Sequence, residues 1–340
     1  MTILPESMRH VVARGTGGAE VLAIGRMPVP VPCQDEVLIR VHAAGVNRPD
    51  IAQREGKYPP PPGASPVMGL EVAGEVVARG AAVELWRVGD RVTALANGGG
   101  YAEYCVVPAT QCLPWPDGCD AVGAASLPET FFTVWANLFL HGQFRRGASV
   151  LVHGGTSGIG VTALQLVHAM GGKAYATAGS AEKCLACVRL GAVAAIDYRR
   201  EDFAQRIADL TAGRGVDIVL DIVGAPYFER NLASLAQDGC LVQVATMHGA
   251  IVPRLDLFQV MRRRLRITGS TMRPRTTAEK GAIAADLARE VWPLFATGAV
   301  RPMVHAVFPL EQVAEAHRLM ESSQHIGKLV LTTAMTGEGT

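Results

Sequence analysis

Apolar and polar positions alternate along the first part of the chain in a pattern typical of half-buried β-strands. Residues 8–14 and 36–42 each predict a short strand, and the glycine-punctuated stretch 67–93 predicts several more. From Ser149 onward, short runs that are apolar throughout alternate with longer helical stretches. This alternation predicts βαβ units, in which helices cover both faces of a parallel sheet.

The strands of this parallel sheet are predicted at the runs VLVH, KAYATA, VAAID, VDIVLDIV and CLVQVA, with a sixth at 264–270. A helical stretch follows at 279–297, and the chain then returns to strand, helix and strand, which we expect to pack on the first part. The predicted fold class is α/β with two domains. Residues 1–125 and 296–340 form a β-rich domain, and residues 126–295 form an inserted domain with a doubly wound parallel sheet.

The composition suits a compact enzyme of two domains. Of 340 residues, 49% are hydrophobic and 19% are charged, which excludes a disordered chain. Lys and Arg number 32 against 31 Asp and Glu, so no overall field attracts nucleic acid or an anionic membrane. No apolar run reaches the roughly 18 residues of a membrane span, and the N-terminus does not resemble a secretion signal. Together with seven scattered cysteines, these features predict a cytoplasmic protein with reduced thiols.

A glycine-rich turn lies between an apolar strand and an apolar helix in VLVHGGTSGIGVTALQLVHAMGG. It matches G-x-G-x-x-G at Gly155 and Gly160, with Ser157 at the second glycine position. Backbone N–H groups and the helix dipole at such a turn can hold a pyrophosphate. We therefore expect cofactor contacts from the whole turn, at Gly155, Thr156, Ser157, Gly158, Ile159 and Gly160.

The end of the second strand of this domain discriminates between the two nicotinamide dinucleotides. NAD enzymes usually carry an acidic residue there for the ribose 2′-hydroxyl. This chain has Gly179 and Ser180 instead, with Lys183 one turn later, which provides space, a hydroxyl and a positive charge for a 2′-phosphate. The predicted cofactor is NADPH.

The carboxyl ends of the later strands are expected to complete the cofactor site, because doubly wound sheets bind ligands at that edge. The expected contacts follow strands four, five and six, at Ile222, Val223, Ala245, Thr246, Met247, Gly269, Ser270 and Thr271. Arg273 and Arg275 come next, and the sequence leaves open whether they touch the substrate.

The motifs AAGVNRPDIAQREGKYPPPPGASPVMGLEVAGEV, VGDRV, GGTSGIG, TAGSAEK, IDYRRED and IGKLVL together resemble the quinone oxidoreductase branch of the medium-chain dehydrogenase/reductases. The resemblance covers nearly the whole chain and keeps the family's order. It implies a GroES-like catalytic domain, a Rossmann domain, a cleft for NADPH, and a homodimer joined along the nucleotide-domain sheets.

The resemblance also implies roles for individual residues. Asn47 and Tyr58 would be the catalytic residues, with Asn47 near the nicotinamide ribose and Tyr58 closing over the cofactor or orienting a quinone oxygen. Thr133 resembles a nicotinamide contact, Tyr198 resembles a tyrosine near adenosine, and Lys328 would reach the cofactor. Each has a structural alternative: a turn residue for Asn47, packing on neighbouring prolines for Tyr58, an ordinary helix hydroxyl for Thr133, a strand-end aromatic for Tyr198 and a solvated side chain for Lys328.

No metal is predicted. The positions that resemble the first Cys and His ligands of zinc alcohol dehydrogenases are Asn47 and Leu70, and neither side chain binds Zn²⁺ strongly. Three further cysteines are spaced by seven residues without a fourth, and Cys184 and Cys187 lie on a predicted helix. Without a Lewis acid, the sequence favours hydride donation to an acceptor that is already electrophilic.

Three functions remain open at this point. The leading hypothesis is NADPH-dependent reduction of quinones, by hydride or electron transfer, in a metal-free cleft between the two domains. The alternative is NADPH-dependent reduction of the C=C bond of α,β-unsaturated aldehydes or ketones. A third hypothesis, of another class, is a non-catalytic NADPH-binding protein with a structural or redox-sensing role.

Overall fold

The computed structural model describes residues 4–333. The chain divides into two compact units, with crossings between Phe132 and Thr133 and between Met272 and Arg273. The strands, in chain order, are β1 (Ser7–Ala13), β2 (Leu22–Pro28), β3 (Glu36–Val46), β4 (Glu71–Arg79), β5 (Arg91–Leu95), β6 (Tyr104–Pro108), β7 (Cys112–Pro114), β8 (Ser149–Val152), β9 (Lys173–Ala178), β10 (Ala192–Asp197), β11 (Val216–Asp221), β12 (Leu235–Gln243), β13 (Arg266–Gly269), β14 (Val304–Pro309) and β15 (Lys328–Thr332).

The described α-helices have between five and 14 residues, and the longest, Thr277–Glu290, belongs to the first unit. In chain order they are α1 (Arg48–Arg54), α2 (Ala121–Ala125), α3 (Pro128–Val134), α4 (Gly158–Ala169), α5 (Ala181–Arg189), α6 (Phe203–Leu210), α7 (Phe228–Ser234), α8 (Leu257–Arg263), α9 (Thr277–Glu290), α10 (Trp292–Ala296) and α11 (Val313–Ser322). A π-helical turn, Trp135–His141, continues α3. Among the described residues, no helix combines the length and apolar character needed to cross a bilayer.

The boundaries differ from the expected ones, because residues 126–132 and 273–295 belong to the first unit. Aromatic packing explains the difference. Trp292 on α10 donates its indole N–H to the carbonyl of Pro114, at 2.7 Å. Phe131 on α3 lies against the rings of Trp292 and Phe295, with centroids 6.4 and 5.5 Å away. These long-range contacts were not visible in the local sequence pattern.

The first unit has a two-stranded sheet, β1-β2, and a larger sheet of order β14-β15-β3-β4-β5-β7, in which β6 also pairs with β3. β15 runs antiparallel to β3, with Leu329 opposite Val46, so the last described strand lies beside one of the first. This pairing confirms that the C-terminal segment packs on the N-terminal part. Buried valines of β3 and β4, such as Val37, Val41 and Val72, form the centre of the core.

The second unit is built on a parallel sheet of order β10-β9-β8-β11-β12-β13. Leu151, Val219 and Leu241 lie at its centre and are fully buried. The chain winds outward from β8 in one direction and from β11 in the other, so the strand order reverses between β8 and β11. The predicted doubly wound arrangement is confirmed, and ligands of such sheets bind at the carboxyl edge of this reversal point.

Candidate active and cofactor-binding sites

The glycine-rich turn lies between β8 and α4, at the carboxyl edge of the sheet. The side chain of Ser157 accepts a hydrogen bond from the N–H of Gly160 at 3.0 Å and caps α4. A methyl group at Gly155 would lie 2.6 Å from Cys187 Sγ and 2.8 Å from Ala176 Cβ, so a side chain does not fit. The first N–H groups of α4 point out of the helix. The turn therefore fits a pyrophosphate, and Ser157 is a helix cap.

A positively charged group of side chains lies at the end of β9. Ser180 caps α5 by accepting from the N–H of Lys183, at 3.2 Å. A methyl group on Gly179 would lie 2.8 Å from Tyr198 Oη and 3.4 Å from Arg199 Nε, so both side chains approach this strand end. Burial, and then the charge of Arg199, lower the pKa of Lys183. The structure brings Gly179, Ser180, Lys183 and Tyr198 together at this strand end, and it adds Arg199.

The segments that follow β11 and β12 are hydrogen-bonded to one another. The N–H of Met247 donates to the carbonyl of Ile222 at 3.2 Å, and the N–H of His248 donates to the carbonyl of Val223 at 2.9 Å. These segments contain Ala245 and Thr246 as well, so five of the predicted cofactor contacts share one edge of the sheet.

Thr133 and Ser270 are connected through a residue that the sequence analysis missed. Asn137 is fully buried in the π-helical turn. Its amide N–H donates to the carbonyl of Thr133 at 2.9 Å, and its amide oxygen accepts from the hydroxyl of Ser270 at 3.1 Å. Asn137 thus ties α3 to the segment after β13, which holds Gly269 and Thr271. A buried Asn within an apolar helix, WANLFL, was the signal that could have identified it.

Asn47 and Lys328 lie together in the first unit, where both are buried. The Lys328 ammonium donates to the side chain of Asn47, to the carboxylate of Glu71 at 2.6 Å and to the carbonyl of Val46 at 3.3 Å. Asn47 also donates to Glu71, at 2.8 Å. Since the three protons of Lys328 all have acceptors, a cofactor contact by Lys328 would require one of these bonds to be exchanged. Lys328 is therefore not a solvated side chain. The sequence analysis did not identify its partner Glu71.

Asp50 completes this buried network and caps α1. Its carboxylate accepts from the N–H of Asn47 at 2.8 Å, from the N–H of Gly69 at 3.1 Å and from the hydroxyl of Tyr101 at 3.0 Å. Burial raises the pKa of Asp50 to about 6, although these hydrogen bonds oppose the shift. The main chain of Asn47 is therefore held rigidly at the end of β3.

Tyr58 lies on the loop after α1 and is partly buried. The guanidinium of Arg273 lies over its ring, 5.4 Å from the centroid, and donates to the Tyr58 carbonyl at 3.3 Å. Arg273 also donates to the carbonyl of Asn97, at 2.7 and 3.0 Å. Arg273 thus holds Tyr58 through a cation–π contact and a backbone hydrogen bond. For Arg275, the sequence also left open whether it touches the substrate. Its guanidinium forms an ion pair with Glu279 at 4.0 Å.

Glu129, at the start of α3, is a second acidic residue that the sequence analysis missed. Its backbone N–H donates to the Glu71 carboxylate at 2.9 Å, which places two carboxyl-bearing residues side by side. Burial, and then the charge of Glu71, raise the pKa of Glu129 to about 8. Desolvation lowers the pKa of the neighbouring Lys280 to about 8. The first unit therefore holds groups that titrate near neutral pH beside Tyr58 and Asn47.

Comparison with known proteins places these features in context. Residues 33–117 match the family described as alcohol dehydrogenase GroES-like domain, and residues 190–331 match the family described as zinc-binding dehydrogenase. A quinone oxidoreductase from Homo sapiens is 31% identical over 327 residues, which are 95% of this chain and 97% of that protein.

Two solved structures are also similar. An Escherichia coli quinone oxidoreductase complexed with NADPH has a TM-score of 0.83 at 28% identity, covering 95% of this chain and 99% of that chain. The CurK enoyl reductase has a TM-score of 0.84 at 26% identity, covering 96% of this chain and 99% of that chain.

The residues of this chain do not fit the zinc ion that one family description implies. Among residues 4–333, no group of three or more His, Cys, Asp and Glu side chains could hold a metal ion. Asn47, which resembles a ligand position, is bonded to the Lys328 ammonium, and that charge repels a cation. Leu70 offers no donor atom.

Proposed function

Because this chain belongs to the quinone oxidoreductase-like branch of the medium-chain dehydrogenase/reductases, and is an oxidoreductase that uses a nicotinamide cofactor, we propose that it is a zinc-independent NADPH:quinone oxidoreductase. The observation that carries the proposal is the glycine-rich turn together with the basic strand end beside it. The human relative and the Escherichia coli structure support the acceptor class.

The choice of NADPH is supported by the end of β9. Lys183 and Arg199 supply positive charge, and Ser180 and Tyr198 supply hydroxyls, around a glycine whose missing side chain leaves room. A ribose 2′-phosphate carries about two negative charges and forms charge-assisted hydrogen bonds with such groups. The 2′-hydroxyl of NADH carries no charge that these cations could bind, so NADPH binds more tightly.

The reaction consumes one NADPH, one quinone and one proton, and it yields NADP⁺ and a hydroquinone. Bound NADPH supplies the hydride. The chain's own residues orient the acceptor: the Tyr58 hydroxyl donates a hydrogen bond to the quinone oxygen on which negative charge develops. Burial, and then Glu129, raise the pKa of Tyr58, and the charge of Arg273 below the ring opposes this rise. Asn47, anchored by Lys328 and Glu71, holds the adjoining backbone in place.

The decisive experiment follows NADPH oxidation by its absorbance, with matched sets of ortho-quinones, para-quinones and 2-alkenals. Each set is repeated with NADH and with EDTA. We expect selective turnover of quinones, a preference for NADPH and no loss of activity with EDTA. Loss of activity with EDTA would contradict the proposal that the enzyme is zinc-independent.

A second candidate is reduction of the C=C bond of α,β-unsaturated carbonyl compounds, supported by the similarity to the CurK enoyl reductase. Both reactions use the same hydride donor, so the acceptor panel separates them. Faster turnover of 2-alkenals than of quinones would establish this candidate. Tight NADPH binding without turnover of either set would instead favour the non-catalytic binding role.

A homodimer is proposed as the assembly. β13 is the last strand of its sheet and, within the described residues, pairs with β12 alone. The helix that precedes it in sequence, α8, packs on β12 and exposes three large apolar side chains: Leu257 is 64% exposed, Phe258 68% and Met261 72%. An unpaired strand edge and an exposed apolar helix surface in the same unit suit a second copy of the chain. Light scattering of the wild-type protein and of Phe258→Glu tests this: the wild type should have twice the chain mass and the variant should not.

The proposed compartment is the cytosol. All seven cysteines are free thiols. A chain whose cysteines are all unpaired suits a reducing compartment. Localisation of a tagged full-length chain tests this assignment.

A further inference from the structure

Four buried polar side chains of the second unit form one hydrogen-bonded chain beneath the glycine-rich turn. Thr177 lies on β9, His153 directly after β8, Asn231 on α7 and Asp221 at the end of β11. Each is at most 1% exposed. Consecutive members are 2.9 Å (Thr177 Oγ1 to His153 Nδ1), 2.7 Å (His153 Nε2 to Asn231 Oδ1) and 3.0 Å (Asn231 Nδ2 to Asp221 Oδ2) apart. We call these four residues the His153 chain.

The direction of each hydrogen bond in the His153 chain is defined by its partners. Asp221 is an acceptor, because it also accepts from the N–H groups of Val223 at 2.6 Å and Gly224 at 3.2 Å. Asn231 therefore donates to Asp221 and accepts, through Oδ1, from His153. His153 must then carry its proton on Nε2.

The other ring nitrogen of His153 is an acceptor. Burial lowers the pKa of His153 to about 4, so the ring is neutral at physiological pH and Nδ1 accepts from the Thr177 hydroxyl. The Thr177 oxygen is left to accept the N–H of Gly154, at 3.3 Å. The rings of Phe203 and Tyr227 pack edge-on against His153, with centroids 4.7 and 4.9 Å away, and hold the imidazole in this orientation.

The two ends of the His153 chain adjoin backbone segments that we expect to contact the dinucleotide. One end adjoins Gly154, at the start of the glycine-rich turn, and the other adjoins the segment 222–224. These segments also touch directly, since a methyl group on Gly154 would lie 2.7 Å from Ile222 Cδ1. The His153 chain therefore spans the point where the strand order reverses, between β8 and β11.

We propose that the His153 chain is a positioning device, which holds the glycine-rich turn and the segment 222–224 at the spacing that dinucleotide binding requires. This inference rests on the proposed use of NADPH and names residues that act through the backbone. Its four side chains are positioning residues and not catalytic ones. Pre-organised backbone donors bind a ligand more tightly because no ordering cost is incurred on binding.

The test compares Thr177→Val with Thr177→Ser. Valine has nearly the same shape but removes the hydroxyl, so the Gly154 N–H and His153 Nδ1 both lose their partner; serine keeps the hydroxyl. We expect the NADPH dissociation constant, measured by fluorescence titration, to rise about tenfold in Thr177→Val and less than about threefold in Thr177→Ser. In steady-state assays the KM for NADPH should rise, while kcat at saturating NADPH and the KM for quinone stay unchanged.

A second pair of variants protects the test against misfolding. His153→Gln can still donate to Asn231 and accept from Thr177, whereas His153→Leu can do neither, so NADPH affinity should be retained in the first and reduced in the second. Equal NADPH affinity in the wild type, Thr177→Val and His153→Leu, all folded, would overturn the inference.

Amide hydrogen exchange without ligand separates this inference from the proposed function. Residues 154–160 and 222–224 should exchange faster in Thr177→Val than in Thr177→Ser. If the wild-type chain binds neither NADPH nor NADH, the proposed function fails, and this exchange comparison alone decides whether the His153 chain positions the turn. Unchanged exchange in Thr177→Val would reject the positioning role whatever the cofactor result.

Discussion

The ammonium of Lys328 lies 2.6 Å from the carboxylate of Glu71, and both side chains are almost completely buried. The two residues are 257 positions apart in sequence. A buried ion pair of this kind is costly to break, because removal of one partner leaves the other charge without compensation. The pair also anchors Asn47, so it connects the stability of the first unit to its candidate active site.

Lys328→Met should therefore destabilise the protein by about 3–5 kcal/mol, because the Glu71 carboxylate loses its counter-charge. Glu71→Gln combined with Lys328→Met should recover part of this loss, since no charge is then left unpaired. Chemical denaturation of the single and double variants measures both effects. A loss below about 1 kcal/mol in Lys328→Met would show that the pair contributes little.

Lys183→Ala should raise the KM for NADPH by a factor that corresponds to about 1–3 kcal/mol, because a charge-assisted phosphate contact is lost. The KM for NADH should not change. Lys173→Ala is the matched control, because Lys173 is exposed at the opposite end of β9. If Lys183→Ala raises the KM for NADPH and the KM for NADH equally, Lys183 does not bind the 2′-phosphate.

Tyr58→Phe should lower kcat/KM for quinones by about tenfold at saturating NADPH, because the hydroxyl that orients the quinone oxygen is missing. Tyr58→Ala should have a larger effect, since Arg273 also loses the ring that it packs on. Tyr104→Phe, another partly buried tyrosine of the first unit, serves as the control. Unchanged kcat and KM in both Tyr58 variants would show that Tyr58 has only a structural role.

Glu129→Gln should increase thermal stability at pH 8 but not at pH 4. The pKa of Glu129 is raised from 4.5 to about 8, so the folded chain keeps this proton while the unfolded chain releases it. The free energy of unfolding consequently falls as the pH rises from about 4.5 to 8. Glutamine cannot ionise and removes this dependence.

The expected difference in melting temperature at pH 8 is about 2–4 °C, measured by calorimetry across the pH range. Glu229→Gln, at an exposed position on α7, is the control and should leave the profile unchanged. If the melting temperatures of the wild type and Glu129→Gln change with pH in parallel, Glu129 is ionised in the folded protein.

Much of the second unit follows from local sequence patterns. The apolar runs after Ser149 predicted the strands of the parallel sheet, and Ser180 and Asp202 cap helices as such residues commonly do. The glycine-rich turn was also recognisable, because its geometry depends on small residues close together in sequence. In these cases the physical cause is local, so the sequence contains it directly.

The roles of Asn47, Lys328 and Glu71 were decided by tertiary structure. The register of β15 on β3 brings Lys328 to Asn47, and burial then requires that each charge and amide finds a partner. The same reason explains the missed residues His153, Asn137 and Glu129, whose partners come from other elements. Sequence by itself determined the elements, the turn and the family resemblance. Only the folded chain decided which polar side chains would share a buried space, because burial results from contacts between residues that are distant in sequence.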